Sequence, residues 1–170
     1  AAGNTSSSSN PFNFTVDTQP PAVASDIQLN NNNGSVLSPI TGETNDNTPV
    51  LSGTAAPGST VTISDGTSVL GTVIVGSNGS WTFTTPTLGE GAHSLTTTVT
   101  DPAGNSSGAS TPITFNVDTT APEAASGLTV TGNADGTTET LASGATTDDS
   151  TPTLSGQAEI GSIVKVYDGS

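Results

Sequence analysis

The chain repeats itself about a hundred residues apart, and that period constrains its architecture more than anything else in it. Phe14-Thr15-Val16-Asp17-Thr18-Gln19-Pro20-Pro21 returns as Phe115-Asn116-Val117-Asp118-Thr119-Thr120-Ala121-Pro122, with Asp118 standing 101 positions after Asp17. Thr48-Pro49-Val50-Leu51-Ser52-Gly53 returns as Thr151-Pro152-Thr153-Leu154-Ser155-Gly156, shifted by 103, so two extra residues fall in the intervening loop. Ala2-Gly3-Asn4 also matches Ala103-Gly104-Asn105. A period of this size is a domain, whereas solenoid repeats are several-fold shorter. The expected organisation is residues 1–17 as the last part of one repeat, 18–118 as a complete repeat, and 119–170 as the first part of a third.

Only 30% of residues are hydrophobic and 9% charged, a composition rich enough in Gly, Ser, Thr and Asn to suit a disordered chain. The apolar residues argue otherwise, because they sit in short alternating clusters dominated by Val and Thr, as half-buried strands require. Seven strands are predicted in the complete repeat: Val23–Leu29, Pro49–Ala55, Thr60–Ser64, Val69–Val75, Ser80–Thr84, Ala92–Thr100 and Ile113–Val117. Phe14 to Asp17 reads as the end of a further strand. Asp65-Gly66 and Asn78-Gly79 are hairpin-turn dipeptides, and Pro57-Gly58, Gly89-Glu90-Gly91 and Pro102-Ala103-Gly104-Asn105 mark other connections. No stretch has helical periodicity with caps. The fold class that follows is all-β, as tandem immunoglobulin-like β-sandwich domains, one complete and two partial.

Alternation along those strands names the core: Leu51, Gly53 and Ala55; Val61 and Ile63; Trp81 and Phe83; Leu95 and Val99; Ile113, Phe115 and Val117. Trp81 is the only Trp. Exposed, it would be a platform for stacking a sugar, but its alternation with Phe83 favours the core.

Fifteen acidic residues face one basic residue, Lys165, for a formal net charge of −14. That field opposes nucleic acid and anionic membranes. It is compatible with solubility through self-repulsion and with the binding of hard cations by clustered carboxylates. With no Cys there are no disulfides or thiolate metal sites. No segment has the roughly 18–20 consecutive apolar residues of a membrane-spanning helix.

These linkers, turns and aromatic positions together resemble the bacterial immunoglobulin-like repeats of giant, type I-secreted adhesins of the biofilm-associated kind. The resemblance is carried by Val16-Asp17-Thr18 through Pro21 and Val117-Asp118-Thr119 through Pro122, and by Thr48-Pro49 with Leu51-Ser52-Gly53. Asn78-Gly79-Ser80-Trp81-Thr82-Phe83 and Gly91-Ala92-His93-Ser94-Leu95 leading to Asp101-Pro102-Ala103-Gly104-Asn105 complete it. It implies a long rod at the bacterial cell surface, extracellular and monomeric. The resemblance also implies calcium that stiffens the junctions, neighbouring repeats as immediate partners, and a host-cell or biofilm ligand gripped elsewhere in the parent protein.

Strand direction decides which carboxylates meet. Linker Asp17, the Ala55–Gly58 loop, the Gly76–Gly79 turn and Asp101–Asn105 fall at one end of the repeat, here the leading pole. The Thr41–Thr48 loop, the Asp65 turn, Gly89-Glu90-Gly91 and linker Asp118 fall at the other, the trailing pole. Calcium takes six to eight oxygen ligands, and acids facing one another across a junction repel without a cation. Asp17 and Asp101 with Asn105 are the leading-pole candidates; Asp118 and Asp46, with Glu43, Asn45 or Asn47 nearby, are their trailing-pole counterparts. Asp148 and Asp149 occupy the equivalent loop of the third repeat. For each Asp the competing role is an Asx-turn or a strand-end cap. No Asp-x-Asp-x-Asp-Gly calcium loop is present.

His93 is the single His, with no second His and no Cys to make it a metal ligand. There is no Gly-x-Ser-x-Gly elbow and no phosphate-cradling Gly loop with Lys, and strand-end acids at opposite poles frame no cleft, so an enzyme is not expected. The alternatives to an extender are a glycan- or protein-binding module, including one accessory to a polysaccharide-degrading enzyme, and a spacer of a surface-layer or ice-binding protein.

Overall fold

Residues 2–32, 37–134 and 137–168 are described in the computed structural model, and among them there is no helix. The chain divides into two compact units, Ala1–Thr119 and Thr120–Ser170.

Among the described residues of the first unit nine strands run in order: β1 (Ser25–Asn31), β2 (Ser38–Pro39), β3 (Glu43–Thr44), β4 (Val50–Thr54), β5 (Thr60–Asp65), β6 (Ser68–Ile74), β7 (Ser80–Thr84), β8 (Gly91–Thr100) and β9 (Ile113–Val117). They form a four-stranded sheet ordered β2-β1-β4-β7 and a five-stranded sheet ordered β3-β9-β8-β5-β6. All pairs are antiparallel except β3 with β9, which run parallel. The two sheets close over one core, as in an immunoglobulin-like sandwich.

Each strand contributes its alternate apolar residues to that core, because successive side chains point to opposite faces. Leu51 and Trp81 come from one sheet, and Val61, Ile63, Leu95, Val99, Phe115 and Val117 from the other; all are buried. Ala55, Phe83 and Ile113 are half-buried against them. Trp81 is only 3% exposed, which assigns it to the core and not to a sugar platform. It lies opposite Gly53 in the β4–β7 ladder, and a Cβ at Gly53 would come within 2.7 Å of its ring. Gly71 on β6 likewise makes room for the Phe83 ring arriving from the facing sheet, 2.8 Å from where a Cβ would stand. Removing two side chains is what lets the bulky rings fill a thin core.

The seven expected strands are all present, Ser80–Thr84 and Ile113–Val117 with the bounds expected. β1 begins at Ser25, two residues later than Val23, because its pairing with β4 starts at Ser25↔Thr54. The two-residue strands β2 and β3 were not expected. Two residues carry no periodicity, and they are ordered only by docking on β1 and β9. One expectation is corrected: Phe14 to Asp17 forms no strand, and Phe14 and Val16 are 77% and 72% exposed. The equivalent Phe115 to Val117 is a strand because it pairs with β8 and β3, whereas Phe14 to Asp17 pairs with no strand among the described residues.

The second unit contains β10 (Ser126–Ala134), β11 (Thr137–Leu141) and β12 (Thr153–Gln157), ordered β11-β10-β12. The β10–β12 register, with Ser126↔Gln157, Thr129↔Ser155 and Val130↔Leu154, reproduces the β1–β4 register of Ser25↔Thr54, Gln28↔Ser52 and Leu29↔Leu51, irregularity included. The sequence period is thus also a period of hydrogen bonding.

Candidate functional site: the two poles

The ladders place the loops. Thr60 faces Thr100 and Ile74, and Thr54 faces Ser80, so the loops after β4, β6 and β8 share the leading pole. Asn30 faces Val50, Val50 faces Thr84, Asp65 faces Leu95 and Gly91 faces Val117, so the β5–β6 turn, the β7–β8 loop and the start of the linker share the trailing pole.

At the leading pole, Asp17, Asp101 and Asn105 are brought together. Asp101 Oδ1 accepts the Asn105 backbone N–H at 2.9 Å, and its Oδ2 accepts the Asn105 side-chain amide at 3.0 Å. That amide also donates to the Asp17 backbone carbonyl at 3.1 Å. The Asn105 amide first, and the loop N–H groups with it, hold the Asp101 carboxyl below its usual range. Asp17 caps its own turn, its Oδ1 accepting the Gln19 N–H at 3.0 Å. The Asx-turn role is therefore real for both, and it leaves Asp17 exposed and Asp101 half-exposed at one pole.

Asp46 is 1% exposed and fully engaged. Its Oδ2 accepts the Asn32 N–H, and its Oδ1 accepts the Thr48 N–H at 2.9 Å and the Thr48 hydroxyl at 3.2 Å, while its own N–H donates to Thr44 Oγ1 at 3.0 Å. Asp149 repeats the set: Asn133 N–H at 2.7 Å, Thr151 N–H at 2.8 Å, Thr151 hydroxyl at 3.2 Å, and Thr147 Oγ1 accepting its N–H at 3.0 Å. The Thr151 and Asn133 N–H groups hold the Asp149 carboxyl below its usual range. Both carboxylates staple the loop between the first two long strands of their repeats. Asn32 and Asn133 are 101 apart and Thr44 and Thr147 are 103 apart, so the two extra residues lie between them. Asp148, beside the second staple, is exposed.

Asp118 leaves β9 at the trailing pole, exposed, its N–H donating to the Thr44 carbonyl at 2.9 Å. The next residue is gripped by a side chain the sequence reading passed over. Both Glu90 oxygens accept the Thr119 N–H, at 3.2 and 3.1 Å, and Glu90 also accepts the Thr119 hydroxyl. That hydroxyl first, and the N–H with it, lower the Glu90 pKa. Glu90 stood in the sequence only as the middle of a Gly-Glu-Gly turn. Its partner lies 29 residues away, which no local pattern reports.

His93 sits at the same pole. Its Nδ1 is 2.7 Å from Asp65 Oδ2, its Nε2 is 2.9 Å from the Gly89 carbonyl, and its ring stacks on Phe115 at 5.5 Å. Two acceptors on the two ring nitrogens suit the doubly protonated imidazolium. Burial opposes that charge, but Asp65 and the Gly89 carbonyl outweigh it and raise the His93 pKa. Asp65 also accepts the Ser94 N–H at 2.9 Å. Its own burial is likewise outweighed, and its pKa is lowered.

Among the described residues, no three His, Asp or Glu side chains gather closely enough within this chain to hold a metal. The poles hold acids in ones and twos, and the carboxylates of Asp17, Asp46, Asp65, Glu90 and Asp101 each accept N–H or O–H groups.

The comparison with known families now decides the type of module. Residues 22–119 match the bacterial Ig-like domain over more than half of the chain. The chain belongs to the bacterial Ig-like domain family. This family is non-catalytic. Bacterial Ig-like membership suggests a surface-associated module. No curated protein matches the chain.

Proposed function

We propose that the chain is a structural extender segment of a large, secreted bacterial cell-surface adhesin, built of tandem Ig-like domains. The observation that carries this reading is the recurrence of one ladder and its Asp staple at the repeat spacing. A fold unit copied along the chain adds length, and its Pro-bearing linkers limit bending. The grip on a host or biofilm ligand belongs to another part of the parent protein.

The binding-module reading lacks its material. The three aromatics of the matched region are Trp81 and Phe115, both buried, and Phe83, half-buried. None is left as a platform for a glycan.

Calcium enters the proposal at the poles. The donors there are oxygens, the chemistry this cation prefers, and the charge of −14 favours its uptake. Asp17 and Asp101 at the leading pole and Asp118 at the trailing pole supply carboxylates when successive repeats meet. Asp46 and Asp149, whose oxygens already accept N–H and O–H groups, shape their loops and contribute little as ligands. Small-angle scattering from several consecutive repeats tests this: a longer, stiffer particle in calcium than in chelator is expected. Identical profiles would remove calcium from the proposal, and a compact, freely jointed particle in both would remove the extender itself.

A further inference from the structure

We propose that the repeated Val-Asp-Thr motif is a two-sided latch, its Thr gripped by the repeat before it and its Asp by the repeat after it, with no cation required. The inference rests on reading the chain as a string of repeats, and it joins two observations made at equivalent positions.

The first concerns Val117-Asp118-Thr119 and the domain it leaves. Val117 is buried in the core, the Asp118 N–H donates to the Thr44 carbonyl, and Glu90 takes both the N–H and the hydroxyl of Thr119. The β3 strand that supplies Thr44 lies parallel to β9, so the chain is held on that side until it is past the end of the sheet. The second concerns Val16-Asp17-Thr18 and the domain it enters. There the Asp17 carbonyl accepts the side-chain amide of Asn105, which is itself fixed through both its nitrogens to Asp101.

The two grips use different atoms, so one motif can satisfy both. The upstream domain binds the Asp N–H and the Thr, and the downstream domain binds the Asp carbonyl. Every donor is an N–H or O–H and every acceptor an oxygen of the chain, so the bonds persist in chelator. The upstream grip needs Glu90 and the downstream grip needs Asp101 and Asn105. The Thr119 N–H and hydroxyl are the partners of the Glu90 carboxylate, and the Asp17 carbonyl is the partner of the Asn105 amide beyond its own loop.

Backbone amide relaxation on the 170-residue chain in chelator reads both halves. Heteronuclear NOE values at Thr119 and at Asp17 and Thr18 should match those of β8. Glu90→Ala should lower the value at Thr119 to that of an unstructured tail while Asp17 stays ordered, and Asn105→Ala should do the reverse. Glu90→Gln, which keeps one acceptor oxygen, should retain part of the order. The Thr119 amide should exchange with solvent about fivefold or more slowly than in Glu90→Ala. Should Asn105→Ala disturb its loop, the wild-type values at Asp17 and Thr18 decide that half. Tail-like values at Thr119 or Asp17 in the wild type, or no response to Glu90→Ala, overturn the proposal. Order that appears only on adding calcium also overturns it, and leaves the calcium clamp standing. Order in chelator with a calcium-insensitive scattering profile upholds the latch and removes the clamp.

Discussion

Asp46 shows how one residue type serves opposite ends at a single position. As a carboxylate in an acidic loop it is a cation ligand on paper; buried with its oxygens on Asn32 and Thr48, it is a staple. Asp46→Ala strands these donors in a buried site, where each unpaired group costs about 1–3 kcal/mol. Urea unfolding of the chain should show the first unit losing about 2–3 kcal/mol, with no dependence on calcium. The repeat also explains a backbone oddity. Asp26 has φ 51°, an uncommon conformation for a residue with a side chain, and its equivalent in the next repeat is Gly127 at φ 60°. Both sit at the irregularity in the first long ladder, so the turn of the backbone belongs to the repeat and the residue filling it varies. Asp26 is helped there by the Thr54 hydroxyl, which donates to its Oδ2 at 3.0 Å.

At the scale of the element, the trailing ends of β5 and β8 are tied by Asp65 and His93, and the β7–β8 loop joins through the Gly89 carbonyl. The raised His93 pKa makes this tie fully stabilising below about pH 6.5, the unfolded value, and lost as pH rises through the higher folded value. The lowered Asp65 pKa acts in the other direction, its contribution present above the unfolded carboxylate range and lost as pH falls through the folded value. His93 is the only His, the side-chain type whose ordinary pKa lies between pH 5 and 8. The urea midpoint of the first unit should therefore decline as pH rises above neutrality, and His93→Gln should flatten that decline. A slope unchanged by the substitution would assign the effect elsewhere. The sequence displayed the Asp65-Gly66 turn and a solitary His but not their pairing. The contact spans 28 residues and exists only because β5 and β8 lie side by side.

For the whole molecule, the two units carry the same ladder with very different cover. Leu51 is 0% exposed in the first, and its counterpart Leu154 is 45% exposed in the second. Trp81 packs over Gly53 in the first; the equivalent Gly156 faces Leu128, itself 60% exposed. Apolar burial sets how often a ladder opens, so amides of β10 and β12 should exchange about tenfold or more faster than those of β1 and β4. Equal protection would mean that the ladder is stable without a facing sheet. The charge of −14 acts at this scale too, since one base among fifteen acids leaves net repulsion along the chain.

From the sequence alone came the repeat, the all-β class, seven strands, the core positions and the acidic poles. Each is written in nearest-neighbour patterns: period-two alternation, turn dipeptides, and the same motif a hundred residues later. Only the tertiary structure decided what the polar residues do. It buried Asp46, set Asn105 against the Asp17 carbonyl, gave Glu90 to Thr119 and paired His93 with Asp65. It also left Phe14 to Asp17 out of any strand. Hydrogen bonds act over about 3 Å, and which groups come that close is set by sheet order and register. Residues 28 to 88 positions apart meet only once the sheets have formed, so these partnerships have no local signature to read.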